Sequence, residues 1–319
     1  MILVTGAAGF IGSNIVASLN KKGYKNIIIC DWVDHHSKKK NLEKLIYEKI
    51  IPPENIIQYL EESKDIELII HMGANSSTTE TNFRLIYNMN TRFSKNLWKW
   101  CVNNKVRLIY ASSAATYGDG KNGFMDSEKA SYKPLNFYGL SKYLFDRYAI
   151  KQSKKKTCPP QWVGLKFFNV YGPNEYHKEN MQSVIKHAFD QYLETGKVKL
   201  FKSYNNKYLD GKQTRDFIYV NDCVALINWL IENKNVSGIY NCGTSIGRTF
   251  EDLVKAMFKS INISPNIEYI DMPKNLIDIY QYYTAANIKK LRSVGYTKEF
   301  TSLKDGVRIC KDYFLGNIK

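Results

Sequence analysis

Three side chains in the sequence have the types and spacing of a proton-transfer centre. Tyr138 and Lys142 lie four residues apart in LNFYGLSK, which places two side chains on one face of a helix. Ser113 ends the strand-like run RLIYASS. A phenol with its ordinary pKa of about 10 is a poor base at neutral pH, but a nearby ammonium and a positive nicotinamide favour the phenolate. We predict that Tyr138 removes the proton of a substrate alcohol, that Lys142 supplies the ammonium and holds a cofactor ribose, and that Ser113 orients the substrate oxygen.

The Tyr-x-x-x-Lys spacing needs a helix to have this meaning. It occurs three times, at residues 117–121, 138–142 and 208–212. Gly118 and Gly211 favour a turn and a loop for the first and third occurrences. Only the second continues into apolar and aromatic residues at helical intervals, so it is the one that predicts a catalytic pair. A serine at a strand end is also a common turn or cap residue, and its role depends on this context.

A glycine pattern near the N-terminus predicts where the nicotinamide would come from. GAAGFIG places Gly6, Gly9 and Gly12 between a strand and a helix. Such glycines allow a tight turn, a close approach of the backbone to a pyrophosphate and close packing of the helix on the strand. Asp31 ends the second strand, where a carboxylate binds the adenosine ribose and favours NAD. The run Lys38–Lys40 could neutralise a 2′-phosphate, so these residues leave NAD and NADP open.

The order of elements predicts an α/β fold with a Rossmann-type doubly wound parallel sheet. Strand-like and helix-like segments alternate in the first half of the chain, with a helix near 41–50 and a strand at IIQYL. The pattern changes after FNVYGP, which indicates a smaller interleaved α/β substrate domain. The predicted dinucleotide-binding domain comprises residues 1–168 and 214–241, and the substrate-binding domain comprises residues 169–213 and 242–319.

Composition excludes several classes of protein. The formal net charge of +16 raises the alternative of a nucleic-acid partner, but the basic runs are short and lie in no recognisable nucleic-acid fold. We therefore expect no nucleic-acid partner. No apolar run is long enough to span a membrane, and the N-terminus lacks the positive segment of a secretory signal, which predicts a cytoplasmic protein. Six scattered cysteines without a C-x-x-C pair predict neither a disulfide framework nor a metal site.

The sequence resembles the extended short-chain dehydrogenase/reductase superfamily over nearly its whole length. The motifs that carry this resemblance are GAAGFIG, ASSAATYG, YGLSK, FNVYGP and RDFIYV, in that order. Within the superfamily it is most similar to the ADP-L-glycero-D-manno-heptose 6-epimerase family. The runs behind that closer match are HMGANSSTTE (71–80), ASSAATYGD (111–119), PLNFYGLSKYLFD (134–146), FFNVYGPNEYHKENMQSV (167–184) and YQYYTAAN (280–287).

This resemblance implies an activity and an assembly. Such enzymes oxidise the C6″ hydroxyl of ADP-heptose to a ketone with bound NADP, with NAD as the other possibility, and return the hydride to the opposite face. The product supplies heptose for the lipopolysaccharide core. The resemblance also implies a homo-oligomer, a pentamer in many members.

The resemblance assigns residues as well. Ser113, Tyr138 and Lys142 match the catalytic triad, and Lys178 matches a lysine proposed as the acid/base on the other face. With the glycines, the cofactor-binding residues are Gly6, Gly9, Phe10, Ile11, Gly12, Asp31, Trp32, Lys38, Met72, Gly73, Ala74, Asn75, Ser76, Asn90, Lys142 and Val170. The substrate-binding residues are Ser77, Thr78, Asn169, Asn180, His187, Phe201, Lys202, Ser203, Tyr204, Arg215 and Tyr280.

Stereochemistry independently favours a second base. Epimerisation through a ketone requires the intermediate to present either face to one hydride, so the alcohol oxygen lies in different places in the two isomers. A single tyrosine would serve one isomer poorly. Taken alone, Lys178 is better explained as a surface lysine, and it is the resemblance that makes it the candidate.

Three other functions are weighed against the 6-epimerase. Dehydratases carry acidic residues just after the active-site hydroxyl, where this chain has Ala114 and Ala115, which cannot transfer protons. A UDP-hexose 4-epimerase shares the fold and the triad, but the runs at 76–80 and 177–178 are not expected in it. A non-catalytic dinucleotide-binding or RNA-binding relative would commonly have lost Tyr138 or Lys142.

Overall fold

The computed structural model describes residues 1–33, 36–63, 65–277 and 280–316, without the side chains of Asn180 and Asn275. The strands are β1 (Ile2–Thr5), β2 (Ile27–Cys30), β3 (Lys49–Ile51), β4 (Leu68–His71), β5 (Arg107–Ser113), β6 (Trp162–Phe167), β7 (Asn169–Tyr171), β8 (Val198–Phe201), β9 (Thr214–Tyr219), β10 (Gly238–Cys242), β11 (Gly247–Thr249) and β12 (Ile267–Ile270).

The α-helices are α1 (Phe10–Lys21), α2 (His36–Leu42), α3 (Ile56–Glu62), α4 (Phe83–Ile86), α5 (Phe93–Asn104), α6 (Phe137–Lys154), α7 (Val184–Thr195), α8 (Val220–Glu232), α9 (Phe250–Ser260), α10 (Lys274–Ile277), α11 (Lys289–Ser293) and α12 (Leu303–Phe314). Short 3₁₀ helices span Pro53–Asn55, Ala114–Tyr117 and Tyr176–Met181. A π-helical segment, Tyr87–Arg92, joins α4 to α5.

Seven parallel strands form the central sheet, in the order β10-β6-β5-β4-β1-β2-β3. Strands β1, β2, β4, β6 and β10 are buried along their whole length, as expected for a parallel sheet covered on both faces. This confirms the doubly wound α/β fold predicted from the alternating elements. The strand order reverses between β1 and β4, and ligands of such sheets bind at that point, beside the carboxyl ends of the strands.

Helices cover the two faces of the sheet. On one face, α1 and α8 pack together, with Leu19 and Leu226 in the same apolar cluster as Val4. On the other face, α5 and α6 bring Trp98 and Phe145 into edge-on contact, with ring centroids 6.2 Å apart. Helix α6, which carries the Tyr-x-x-x-Lys pair, is therefore fixed against the sheet by a fully buried aromatic cluster.

A smaller region is built from short strands and the C-terminal helices. Strands β11-β9-β7 form one sheet and β12-β8 another, and α7, α9 and α12 pack into an apolar core of their own. The domain division predicted from sequence stays a proposal. Strand β9 pairs with β7 and β11 in the small sheet, whereas α8 packs into the apolar cluster of the central sheet.

Two local predictions were wrong. IIQYL forms the start of α3, not a strand, because Ile56 and Leu60 are buried one helical turn apart. The helix predicted near 41–50 ends at Leu42, and Lys49–Ile51 forms strand β3. Within the described residues, no helix combines the length and the apolar character needed to cross a lipid bilayer.

Candidate active site

One cavity of about 790 Å³ lies beside the carboxyl ends of the central strands and reaches the small region. Its walls contain the three glycines of the loop after β1 together with Ser113, Tyr138 and Lys142. Lys178, from the 3₁₀ helix of the small region, lines the same cavity. The four residues predicted to carry the chemistry thus line one cavity, although they come from parts of the chain up to 65 positions apart.

The glycine loop has the shape that a dinucleotide requires. Gly6 has φ +67°, and a Cβ there would lie 2.6 Å from the Gly73 nitrogen. A Cβ on Gly12 would lie 2.0 Å from the Gly6 oxygen, so α1 could not pack as closely on β1. Helix α1 begins after Gly9 with no side-chain cap, which leaves its N-terminal backbone open toward the cavity that Gly9 and Phe10 line. A helix N-terminus of this kind suits a pyrophosphate.

Asp31 lies at the next strand end, as predicted. Its Oδ2 accepts a hydrogen bond from the Ala8 backbone at 2.9 Å, and its Oδ1 pairs with Lys38 Nζ at 2.9 Å. The neighbouring Trp32 indole donates to Glu54 Oε2 at 2.9 Å. All four side chains line the cavity. Glu54 was not among the predicted site residues, because its segment carries no motif.

Tyr138 and Lys142 lie one turn apart on α6, which begins after Asn136. The Asn136 side chain caps the helix by accepting from the Gly139 backbone at 2.8 Å. Burial raises the pKa of Tyr138, and its hydrogen bond with Ser113 opposes that rise. The expected lowering of the Tyr138 pKa by Lys142 is not seen in the structure. Lys142 Nζ instead donates to the Ala111 carbonyl at 2.8 Å. Burial is therefore the main influence on the Tyr138 pKa.

The ammonium of Lys142 is itself perturbed. Burial lowers its pKa to about 8, and the Asp146 carboxylate, one further turn along α6, opposes that shift. Because this pKa stays above 7, the ammonium is the main form at pH 7.

A buried ionic network behind Lys142 was missed from the sequence. Asp146 accepts from Tyr110 at 3.0 Å, from Ser112 at 2.7 Å and from Lys166 Nζ at 2.6 Å. Lys166 also donates to Thr116 Oγ1 at 2.6 Å. The signals available were an acidic residue four positions after Lys142 and a lysine inside the apolar run WVGLKF. The network joins β5, β6 and α6 behind the catalytic side chains.

A second buried chain of hydrogen bonds links the glycine loop to α6. Thr5 Oγ1 and His71 Nδ1 are 2.6 Å apart, and His71 Nε2 and Ser94 Oγ are 2.8 Å apart. Ser94 bonds the Asn90 carbonyl, and Asn90 Nδ2 donates to Ser141 Oγ at 3.0 Å. Burial lowers the pKa of His71 to about 3, so this histidine stays neutral.

Asn90 has a different position from the one predicted. It is buried in the π-helical segment and does not line the cavity. Its Oδ1 accepts from the Asn75 backbone at 2.8 Å and its Nδ2 donates to the Asn75 carbonyl at 2.9 Å. Asn90 therefore holds in place a loop that does face the cavity. The other predicted cofactor residues that line the cavity are Ile11, Met72, Gly73, Ala74, Asn75, Ser76 and Val170.

Lys178 stands on a strained and buried support. Its Nζ lies 5.5 Å from the centre of the Phe10 ring. Burial lowers the pKa of Lys178, and the nearby Glu175 carboxylate opposes that shift. Glu175 is fully buried and accepts from Ser183 Oγ at 2.7 Å. The residue after Lys178, Glu179, has φ +46°, a conformation that non-glycine residues adopt mainly where the surroundings impose it.

The predicted substrate residues divide into two groups. Ser77 lines the cavity, and Thr78 lies at its edge, donating to Met181 Sδ at 3.8 Å. A second group lies outside the cavity, around Arg215, whose guanidinium is flanked by the rings of Phe250 at 5.4 Å and Tyr280 at 5.3 Å.

The rest of the second group surrounds Tyr280 or lies beyond it. Phe201 contacts the Tyr280 ring, with centroids 6.4 Å apart. Lys202 and Tyr204 both contact Asp271, and the Ser203 backbone donates to Asp210. The structure does not place Asn169 and His187 in the cavity wall. The Asn180 side chain lies outside the described residues.

Among the described residues, no cluster of three or more histidine, cysteine or acidic side chains has the arrangement of a metal site. The arrangement fits a nicotinamide dinucleotide with an alcohol substrate.

Known proteins match both the sequence and the fold. Residues 2–243 match the model of the NAD dependent epimerase/dehydratase family. An ADP-L-glycero-D-manno-heptose-6-epimerase of Fusobacterium nucleatum subsp. nucleatum is 46% identical, over 98% of this chain and 96% of its own. A protein of the same name from Brachyspira hyodysenteriae is 44% identical, over 97% and 96%. The crystal structure of the Helicobacter pylori ADP-L-glycero-D-manno-heptose-6-epimerase superposes with a TM-score of 0.83 at 27% identity, covering 98% of this chain and 96% of that one.

Proposed function

The chain belongs to the NAD dependent epimerase/dehydratase family and, within it, to the ADP-L-glycero-D-manno-heptose 6-epimerases, and we propose that it interconverts the D-glycero and L-glycero forms of ADP-manno-heptose at C6″. The observation that carries this proposal is the shared cavity. One space contains the dinucleotide loop, the Ser113–Tyr138–Lys142 group and a second titratable side chain, Lys178.

The cavity fits a nicotinamide dinucleotide. When bound, this cofactor accepts a hydride from the substrate carbon and later returns it. The glycine loop and the N-terminus of α1 would hold the pyrophosphate, and Asp31 would hold the adenosine ribose. Lys142 would hold the ribose next to the nicotinamide. The resemblance implies NADP as the dinucleotide. The charges of the residues at the Asp31 end of the cavity are a separate indication of whether NAD or NADP binds.

Tyr138 is proposed as the base for one of the two epimers. The C6″ hydrogen leaves as a hydride, the hydroxyl proton passes to the Tyr138 oxygen, and a C=O bond forms. Burial holds the Tyr138 pKa high, so the free phenol resists ionisation. The positive charge of an oxidised nicotinamide favours the phenolate, which ties deprotonation to the loaded site. Ser113 would orient the same oxygen.

Lys178 is proposed as the acid/base for the other epimer. After the ketone turns its opposite face to the hydride, its oxygen lies away from Tyr138 and needs another proton donor. Lys178 approaches the cavity from the small region, whereas Tyr138 belongs to the large one. Burial lowers the pKa of Lys178, which brings a lysine closer to the range where it can both give and accept a proton at neutral pH.

Arg215 is proposed to bind the diphosphate of the substrate. Its guanidinium is held between two aromatic rings and, within the described residues, its hydrogen bond goes to the Thr214 carbonyl. Such a planar, pre-oriented cation suits the oxygens of a phosphate. Tyr280 flanks this site and Phe201 contacts the Tyr280 ring. Both are proposed to contact the nucleotide, together with Lys202, Ser203, Tyr204 and the other predicted substrate residues.

Dehydration is the less suitable chemistry for this cavity. The acidic residues among its described lining side chains are Asp31 and Glu54. Asp31 follows β2, three strand spacings from Ser113 on β5, or about 14 Å. Beside Ser113 stand Ala114 and Ala115, so the described part of the chain offers no carboxylate in the cavity wall there to expel water. A 4-epimerase of UDP-hexoses remains the second candidate, since enzymes of that kind share the fold.

Several further features stay predictions. We propose that the product supplies heptose for the lipopolysaccharide core and that the chain assembles as a homo-oligomer, as the family does. The cytoplasmic location and the absence of a nucleic-acid partner are expected from the sequence. Salt-sensitive RNA binding without turnover of any sugar nucleotide would favour a non-catalytic role instead.

Product analysis by nuclear magnetic resonance tests the proposal. The purified protein is incubated separately with each C6″ epimer of ADP-heptose, and with UDP-glucose as the substrate of the second candidate. We expect both heptose epimers to reach the same equilibrium mixture and UDP-glucose to stay unchanged. Conversion of UDP-glucose without conversion of ADP-heptose would replace the 6-epimerase with the 4-epimerase.

A further inference from the structure

The end of the cavity at β2 is negatively charged. Two carboxylates, Asp31 and Glu54, and one ammonium, Lys38, line it. Lys39 and Lys40 follow on the same helix, but both are exposed and neither lines the cavity. No arginine appears among the described lining residues. The formal charge around this end is therefore −1.

The single ammonium is already engaged. Lys38 Nζ lies 2.9 Å from Asp31 Oδ1 and donates to the Trp32 carbonyl at 3.1 Å. Asp31 is buried, with 8% of its surface exposed, so its ion pair is held away from bulk water. Lys38 thus balances Asp31 and leaves the charge of Glu54 uncompensated.

Glu54 is held in a fixed position toward this end. Its Oε2 accepts from the Trp32 indole at 2.9 Å, which links the 3₁₀ helix that follows β3 with the segment that follows β2. Burial raises the pKa of the Cys30 thiol, and the charges of Asp31 and Glu54 raise it further, so both carboxylates lie close enough to act on the same thiol. The bulky Trp32 ring fills part of the space beside it.

From this charge distribution we propose that the site selects NAD over NADP, the reverse of what the resemblance implies. A ribose 2′-hydroxyl can donate to Asp31, whereas a 2′-phosphate brings about −2 charges toward a carboxylate pair with one engaged ammonium. Sites that accept the phosphate offer an arginine or an unengaged cation. The inference rests on the proposed function only in assuming that the cavity holds a nicotinamide dinucleotide. Glu54 and Trp32 would be the residues that determine specificity.

The first experiment identifies the natural cofactor. The protein is purified from a bacterial host, which contains both dinucleotides, and is then denatured, and the released dinucleotide is identified by mass. We expect NAD. The protein is next stripped of dinucleotide with charcoal, its fold is checked by circular dichroism, and each dinucleotide is titrated by calorimetry. We expect NAD to bind at least about tenfold more tightly at low salt, with a smaller difference at high salt because repulsion is screened.

A substitution then tests the residue responsible. Glu54→Gln removes one charge and keeps an oxygen to accept from the Trp32 indole. NADP should bind about fivefold more tightly to this variant, with NAD affinity almost unchanged. Glu61→Gln is the matched control, because Glu61 is exposed on α3 and outside the cavity wall. It should leave both affinities unchanged.

Each outcome has one reading. Tighter binding of NADP than of NAD to the unsubstituted protein would overturn the inference, and so would an equal gain for both dinucleotides in Glu54→Gln. Neither result would affect the proposed epimerase. Failure of both dinucleotides to bind to folded protein would instead overturn the proposed function, since the cavity would then hold another ligand.

Discussion

The two lysines at the catalytic end of the cavity, Lys142 and Lys178, have similar electrostatics on different supports. Burial lowers the pKa of each ammonium, and one nearby carboxylate opposes the shift: Asp146 for Lys142 and Glu175 for Lys178. Lys142 stands on the long helix α6, whose carboxylate is bonded to two strands of the central sheet. Lys178 stands on a short 3₁₀ helix next to a residue with positive φ.

The difference matches the two proposed tasks. Lys142 must remain an ammonium at a fixed place throughout turnover. The buried ionic network around Asp146 holds its helix against the sheet and stabilises the charge. Lys178 must gain and lose a proton, and it meets a ketone that changes face. The 3₁₀ helix of the small region, outside the regular elements, brings that side chain to the cavity. The comparison predicts that damage near Lys142 reduces stability and damage near Lys178 changes the proton chemistry.

The largest expected effect comes from removing Tyr138, the proposed proton acceptor on α6. Tyr138→Phe should slow epimerisation by about 10²- to 10⁴-fold, the usual loss for a missing general base. The fold and the binding of dinucleotide should be retained, because the phenol oxygen has no structural partner besides Ser113 among the described residues. Rates are measured by nuclear magnetic resonance and binding by calorimetry. Retention of more than about a tenth of the rate would remove Tyr138 from its proposed role.

Removing Lys178 should reduce the rate by a comparable factor. Lys178→Met is expected to lose about 10²- to 10⁴-fold, with unchanged melting temperature. Lys199→Met provides the control, since Lys199 is exposed on β8 and outside the cavity, and it should keep full activity. A Lys178→Met variant that works at nearly the normal rate would contradict the proposal of two bases.

The stability of the region behind Lys142 depends on the buried ion pair of Asp146 and Lys166. Asp146→Asn leaves the Lys166 ammonium buried without its counter-charge, and we expect the free energy of unfolding to fall by about 3–5 kcal/mol. Urea denaturation measures this change. Adding Lys166→Met should recover part of the loss, because the unpaired charge is then gone.

A surface pair serves as the comparison for that result. Glu232→Gln breaks the exposed contact with Lys22 and should change the free energy of unfolding by at most about 1 kcal/mol. Equal losses for Asp146→Asn and Glu232→Gln would show that the network contributes no more than an ordinary surface contact.

The smallest expected effect is a shift in pH dependence. Glu175 raises the pKa of Lys178, so Glu175→Gln should lower it. In the direction where Lys178 acts as a base, it must be neutral, and the acid side of the pH–rate profile should move to lower pH by up to about one unit. The Lys142 pKa of about 8 governs the alkaline side, and that limb should stay in place. Movement of the alkaline limb instead would assign the two lysines to the opposite tasks.

The sequence alone predicted the Lys142 side of the site better than the Lys178 side. The helical spacing after Asn136, the glycine loop and Asp31 have local patterns, and their positions follow from the sequence. Lys178 has no such pattern, because a short segment with positive φ shows no periodicity, and only the family resemblance pointed to it. The roles of Asp146 and Glu54 depend on contacts between distant segments. The raised pKa of Tyr138 depends on burial, which spacing alone does not give.

Isotope transfer tests the account of two bases most directly. Each C6″ epimer of ADP-heptose is labelled with deuterium at C6″ and mixed with Tyr138→Phe or Lys178→Met protein for less than a turnover. The dinucleotide is then released, and its deuterium content is measured by mass spectrometry. We predict that the two variants fail to take deuterium from opposite epimers, because each lacks a different base. Failure of both variants with the same epimer, or equal transfer from both epimers in Lys178→Met, would contradict the account.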